Sequence, residues 1–192
     1  GVQTCALPIY TPQTLRDLSV SLDRLGNVER EAGDLQTATV VFRESLELSR
    51  RLRASVGDIP QALRDLSVSL DRLGNIEIEA GDLPAATLAY RESLELRRQL
   101  RASLGDTPQT LRDLSISLEK LGDAEHDAGH LSAATAAYHE SLELRRQLRV
   151  ILGDTPQVLR DLSVSLDRLG NIEREVGDLP AATATYRESL EL

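Results

Sequence analysis

The sequence of 192 residues has no methionine and no tryptophan, a single cysteine (Cys5), and only 3% aromatic residues. One thiol cannot build a disulfide framework or a cysteine-ligated metal site. With so few rings, any core must be made mostly of Leu, Val and Ala. No apolar run approaches the roughly 20 residues that span a bilayer, so no membrane association is expected. Basic residues are the minority, 22 Lys and Arg against 31 Asp and Glu, for a net charge of -9. The two signs are interspersed and form no basic stripe, which argues against nucleic acid as a partner. What remains is 41% hydrophobic and 28% charged, a composition that folds and stays in solution.

The dominant feature is a repeat. Pro12, Pro60, Pro108 and Pro156 recur every 48 residues, as do Gly26, Gly74, Gly122 and Gly170, and Gly33, Gly81, Gly129 and Gly177. The units are 11–58, 59–106, 107–154 and 155–192, and over the 38 residues that the last shares with the first, 30 are identical. Such identity indicates recent duplication.

Each unit reads as two helices. Thr11 suits an N-cap and Pro12 the first helical position. Leu15, Leu18, Leu22, Leu25, Val28 and Ala32 then follow helical spacing rather than strand alternation. Gly33 ends this helix through a left-handed cap, and Asp34 caps the next, whose stripe is Leu35, Ala38, Phe42, Ser45, Leu48, Leu52 and Val56. Gly57 closes the unit. Two helices of about 21 residues would each be about 30 Å long. One hairpin cannot cover both stripes, whereas stacked hairpins give each a neighbour.

These residues resemble the tetratricopeptide repeat, whose pattern runs W-x2-L-G-x2-Y and then A-x3-F. Leu22, Leu25-Gly26, Gly33, Ala38 and Phe42 fill it in the first unit. Leu70, Leu73, Gly74, Gly81, Ala86 and Tyr90 do so in the second. Leu118, Leu121, Gly122, Gly129, Ala134 and Tyr138 follow, and then Leu166, Leu169, Gly170, Gly177, Ala182 and Tyr186. The family's Tyr position instead carries Glu29, Glu77, Glu125 and Glu173. The 48-residue period exceeds the standard 34. It is similar to the long-helix form found in bacterial multidomain proteins. The resemblance implies an all-α fold, an α-solenoid of antiparallel helix hairpins with about eight helices and a right-handed superhelix, forming a single domain over residues 11–192.

In this family the first helices line a concave groove. The face opposite the leucine stripe carries Arg16, Val20, Asp23, Asn27 and Arg30. Stacking would turn these into ladders: Arg16, Arg64, Arg112 and Arg160; Asp23, Asp71, Glu119 and Asp167; Asn27, Asn75, Asp123 and Asn171; with Arg30 and Arg174 at the edge. Peptide-binding members grip peptide backbone with an Asn directly after the L-G glycine, since one carboxamide both donates and accepts. Asn27, Asn75 and Asn171 match that position, and Asp123 departs from it. Acidic residues stand where chaperone-binding members hold a terminal carboxylate with Lys. The implied partner is therefore a protein or peptide, a basic or neutral extended segment, held by a non-enzymatic interaction scaffold. The alternative is a regulatory or sensor arm of a larger bacterial enzyme or signalling ATPase.

His126, His130 and His139 all fall in the third unit, where the other units carry charged surface residues such as Arg30, Asp34 and Arg43. Gly129 interrupts the helix between the first two, so no metal site is expected, and drift on the solvent face accounts for them. His130 replaces an Asp N-cap, which weakens that helix start. No unit pairs a serine with a repeated histidine, and no Gly-rich phosphate loop appears, so neither catalysis nor a cofactor is expected. Glu29 and its copies read as surface or interhelix partners. Neither end shows a capping unit, so fraying after about Thr183 and end-to-end self-association are expected. A cytoplasmic location fits these readings. Residues 1–9, GVQTCALPI, match no copy of a preceding helix end. They do match the translation of a common short-read sequencing adapter, with Tyr10 as a junction codon, so 1–10 read as a non-native leader at the edge of an environmental fragment.

Overall fold

The computed structural model describes residues 11–192. The adapter reading of the leader and Cys5 lies outside the described residues. Eight helices follow one another: α1 Pro12–Glu31, α2 Leu35–Val56, α3 Pro60–Glu79, α4 Leu83–Leu104, α5 Pro108–Asp127, α6 Leu131–Leu152, α7 Pro156–Glu175 and α8 Leu179–Leu190. Among the described residues there is no strand.

Helix starts and stops are chemically specified. Thr11, Thr107 and Thr155 accept the backbone N–H three residues on, and a proline opens each first helix. Asp34, Asp82 and Asp178 do the same for the second helices. His130, as expected, makes no side-chain cap bond. Ile59, at the start of α3, makes none either. At the hairpin turn the Asp34 N–H reaches the Glu29 carbonyl (2.9 Å) and the Gly33 N–H reaches Arg30 (3.0 Å). Gly33 sits at φ 84°, a Schellman closure that favours glycine. α8 remains helical to Leu190, beyond the expected fraying point near Thr183. Buried Ala182 and Thr185 hold its first turns, and Thr185 donates its hydroxyl to Glu173 (2.7 Å).

Every helix packs on its neighbours in sequence, α1 on α2, α2 on α3 and so to α8. First helices form one layer and second helices the other. The core is continuous across units. Leu46 of the first unit packs with Leu63, Leu66 and Leu70 of the second. Tyr90 and Leu94 pack with Leu111, Leu114 and Leu118 of the third. Tyr138 and Leu142 pack with Leu162, Leu166 and Leu169 of the fourth. The architecture is the expected all-α solenoid, with helices of 20 and 22 residues accounting for the long period.

Within each hairpin an aromatic ring lies against a glycine. A Cβ on Gly74 would stand 2.5 Å from the Tyr90 ring, and one on Gly26 would stand 2.9 Å from Phe42. The glycine is required because the ring occupies the space of any side chain, fixing how closely the two helices of a hairpin approach.

Candidate partner-binding face

The first-helix layer carries the residues expected to line a groove, and the structure sorts them into different roles. The acidic ladder is not a groove surface: Asp23, Asp71 and Glu119 are buried, and only Asp167 is exposed. The cause lies on the second helices. Fully buried Ser45 donates its hydroxyl to Asp23 (2.7 Å), and Ser93 does the same for Asp71 (2.7 Å). Glu119 accepts from Ser141 (3.2 Å) and from Ser165 of the next hairpin (2.6 Å). Buried Arg97 donates to Asp71 (2.6 Å) and also to the Asp113 carbonyl (2.6 Å), joining α3, α4 and α5. Arg145 repeats this on Glu119 (2.8 Å). The first unit has Ser49 in the place of these arginines, and it bonds Ser69 instead (2.8 Å).

A cation on the following first helix reaches an acid of the helix before it at each junction, Asp23 and Asp71 at the first two and Asp123 rather than Glu119 at the third. Arg72 pairs with Asp23, Lys120 lies 3.6 Å from Asp71, and Arg168 pairs with Asp123. Arg24, Arg72, Lys120 and Arg168 recur at one repeat position, so this ladder was visible in the sequence but not singled out there. Arg16 and Arg30 are likewise cross-links between neighbouring first helices, to Asp65 (2.8 Å) and Glu79 (3.1 Å). Arg64 and Arg112 are half-buried, Arg160 and Arg174 are exposed, and none of the four forms an ion pair among the described residues.

The asparagine ladder does reach the surface, but in a fixed orientation. Tyr90 donates its hydroxyl to Asn75 Oδ1 and Tyr186 donates to Asn171 Oδ1, both at 2.8 Å. Tyr138 donates to Asp123 (2.7 Å). Burial, then the carboxylates Asp71, Asp123 and Glu79, push the Tyr90 hydroxyl well above the usual phenol range, so it stays a donor. With Oδ1 engaged, Asn75 and Asn171, both exposed, keep their amide N–H groups unpaired among the described residues. Asn27 faces Phe42, which has no hydroxyl, so it lacks this anchor. Asn75, Tyr90, Lys120, Asp123 and Glu79 line a depression of about 400 Å³, and His126, Tyr138, Arg168 and Asn171 line a similar one a unit further on.

A tetratricopeptide repeat model matches residues 18–53, and the other units reproduce that segment in register at 48-residue intervals. The repeat is a tetratricopeptide repeat. The fold is similar to BtubC (BKLC) from P. vanneervenii, at 17% identity and a TM-score of 0.56, covering 94% of this chain and 81% of that one. It is also similar to the de novo designed helical repeat protein DHR64, at 19% identity and a TM-score of 0.52, covering 94% of this chain and 92% of that one. No curated protein matches the sequence.

The departure from the tetratricopeptide pattern at its Tyr position has a structural cause. Glu77, Glu125 and Glu173 are buried at the junctions, each meeting a side chain from the second helix before it: Arg43 to Glu77 (2.6 Å), Arg91 to Glu125, and His139 toward Glu173 (3.8 Å). The glutamates are therefore interhelix partners. The histidines lie toward solvent, as expected, but each also meets a carboxylate. His126 bonds Glu175 (2.7 Å) where Arg30 bonds Glu79, and His130 Nδ1 lies 2.8 Å from Glu125. Histidine thus replaces arginine at the junction between the third and fourth hairpins. Among the described residues no group of three potential metal ligands converges, and no helix is long and apolar enough to cross a membrane.

Proposed function

We propose that this chain is a protein-interaction scaffold that receives an extended polypeptide segment along its first-helix layer. Tetratricopeptide-like repeats are generally scaffolds of this kind and typically non-catalytic. The observation that carries the reading is a line of β-branched apolar side chains, Val20, Val68, Ile116 and Val164, one per hairpin. Three of them are exposed and Val68 is half-buried, on a helix layer whose other apolar residues are mostly covered. An apolar row in register on an otherwise polar face is suited to receiving spaced apolar side chains of a partner.

Asn75 and Asn171, held by their tyrosines, add N–H donors beside that line, suited to the carbonyls of an extended backbone. Three of the four acids expected to select a basic peptide, Asp23, Asp71 and Glu119, are buried and paired, so a neutral segment with spaced apolar side chains fits better. Peptide selection from a displayed random library against the whole chain tests this. Val68→Asp with Ile116→Asp should abolish binding of the enriched peptides, whereas Leu88→Asp, on the second-helix layer, should leave it intact. The opposite pattern would place the site on the other layer.

A further inference from the structure

The line Val20, Val68, Ile116 and Val164 sets a repeat distance. Neighbouring first helices meet through their side chains, Arg16 with Asp65 and Lys120 with Asp71. Helices in such contact stand about 10 Å apart, so the line offers one β-branched side chain about every 10 Å. Few backbones return a side chain to one face at that interval. A β-strand returns every second residue, about 6.8 Å on, and its third residue points the other way. An α-helix returns after about seven residues and 10.5 Å, but its carbonyls are taken by its own hydrogen bonds. A polyproline II helix has three residues per turn, so every third side chain returns after about 9.3 Å, and its carbonyls stay free.

The polar groups beside this line are matched to free carbonyls. Tyr90 and Lys120 both donate to Asn75 Oδ1 (2.8 and 3.3 Å), which fills its lone pairs and leaves only the amide N–H groups. Tyr186 holds Asn171 in the same way. Asp123, the one acid in the asparagine row, already accepts from Tyr138 and pairs with Arg168. One turn before Val68 and Ile116, on helices with a hairpin on either side, stand Arg64 and Arg112. Both are half-buried and form no ion pair among the described residues. A guanidinium donates and cannot accept. A face of donors leaves the N–H groups of an ordinary peptide without partners, whereas proline has a carbonyl and no N–H. The net charge of -9 opposes an acidic segment, the other chemistry that arginine takes.

Resting on the scaffold reading above, we propose that the segment received is an uncharged polyproline II helix with an apolar side chain at every third position and proline between. Its apolar side chains lie against Val68, Ile116 and Val164, one per hairpin. Its carbonyls accept from Asn75, Asn171, Arg64 and Arg112. Such a segment is already extended when free, so little backbone freedom is lost on binding.

Isothermal titration calorimetry on the full chain, with end-capped synthetic peptides, tests this. Four repeats of Val-Pro-Pro should bind. Four repeats of Ser-Pro-Pro keep the backbone and lose the apolar row. Three repeats of Val-Pro-Pro-Pro keep both and break the spacing. Each of these should bind about tenfold more weakly or worse. No binding of the Val-Pro-Pro peptide up to about 1 mM, or equal binding of the out-of-register one, would overturn the proposal. Ile116→Asp with Val164→Asp, both at exposed positions, should abolish binding while circular dichroism shows the helix content kept. Asn75→Asp with Asn171→Asp exchanges N–H donors for oxygen and should weaken binding about tenfold, and unchanged affinity would refute the donor assignment. The display selection separates this inference from the reading beneath it. Enriched peptides that need Val68 and Ile116 but lack proline and the three-residue spacing would overturn the inference and leave the scaffold standing. Enriched peptides indifferent to Val68→Asp with Ile116→Asp would overturn the scaffold site itself.

Discussion

Gly74 and Tyr90 act as one unit shared by two helices. A methyl group at Gly74 would gain about 1 kcal/mol of helix propensity and meet the ring at once. The ring is held by its hydroxyl bond to Asn75 and cannot swing away freely. Gly74→Ala should therefore destabilise by about 1–3 kcal/mol, read as a lower denaturation midpoint. The first unit supplies the converse test. Phe42 sits over Gly26 as the tyrosines sit over their glycines, but it has no hydroxyl to offer Asn27. Phe42→Tyr should add that bond and stabilise by about 0.5–1.5 kcal/mol, a gain that should disappear when Asn27→Ala is also made. At this scale the sequence showed which residues recur, but not that the asparagine carbonyl is already occupied. That depends on a side chain 15 residues away on another helix.

At the scale of the element, the helix boundaries were almost wholly legible, because caps and turn glycines act locally. The Thr-Pro starts, the Asp N-caps and Gly33 all take the expected roles. The exceptions point to improvements. Ile59 leaves the first turn of α3 without a side-chain acceptor where three threonines supply one. Ile59→Thr should raise stability by about 0.5–1 kcal/mol in urea titration. His130→Asp restores the cap that the other second helices have, for a similar gain less whatever the His130–Glu125 contact contributes. What was not legible was which face of α1 is covered. Leu18, Leu25 and Val28 carry the same pattern as their buried copies in α3, α5 and α7, and their exposure depends on a neighbour that residues 11–192 do not provide.

At the scale of the whole molecule, buried charge ties the hairpins together. Arg97 is enclosed between Asp71 and the Asp113 carbonyl. Removing one partner of a buried pair strands the other, so Arg97→Ala should cost about 3–5 kcal/mol. The equivalent change at Ser49, which has only a serine to bond, should cost far less. The junction between hairpins three and four has histidine where the first junction has arginine, and it should respond to pH. The hydrogen bond to Glu175, with Asp127 also nearby, raises the His126 pKa above its ordinary value of 6.5. A raised pKa means that the contribution is fully present below pH 6.5 and is lost as pH climbs through the folded value. Hydrogen exchange, corrected for intrinsic rate, should show α7 and α8 better protected near pH 6 than near pH 8. His126→Arg should remove the difference, because arginine stays charged across that range.

The amino-acid sequence by itself determined the helices, their ends, the 48-residue period and the tetratricopeptide pattern. Periodicity, caps and turn residues are properties of neighbouring positions along the chain. Tertiary structure alone decided which polar ladders face outward and which lie inside. Asp23, Asp71 and Glu119 follow the same helical spacing as Asn27, Asn75 and Asn171, yet the acids are buried and the asparagines reach the surface. Buried serines and arginines contributed by other helices surround the acids, and a residue's own helix does not specify what its neighbours bring to it.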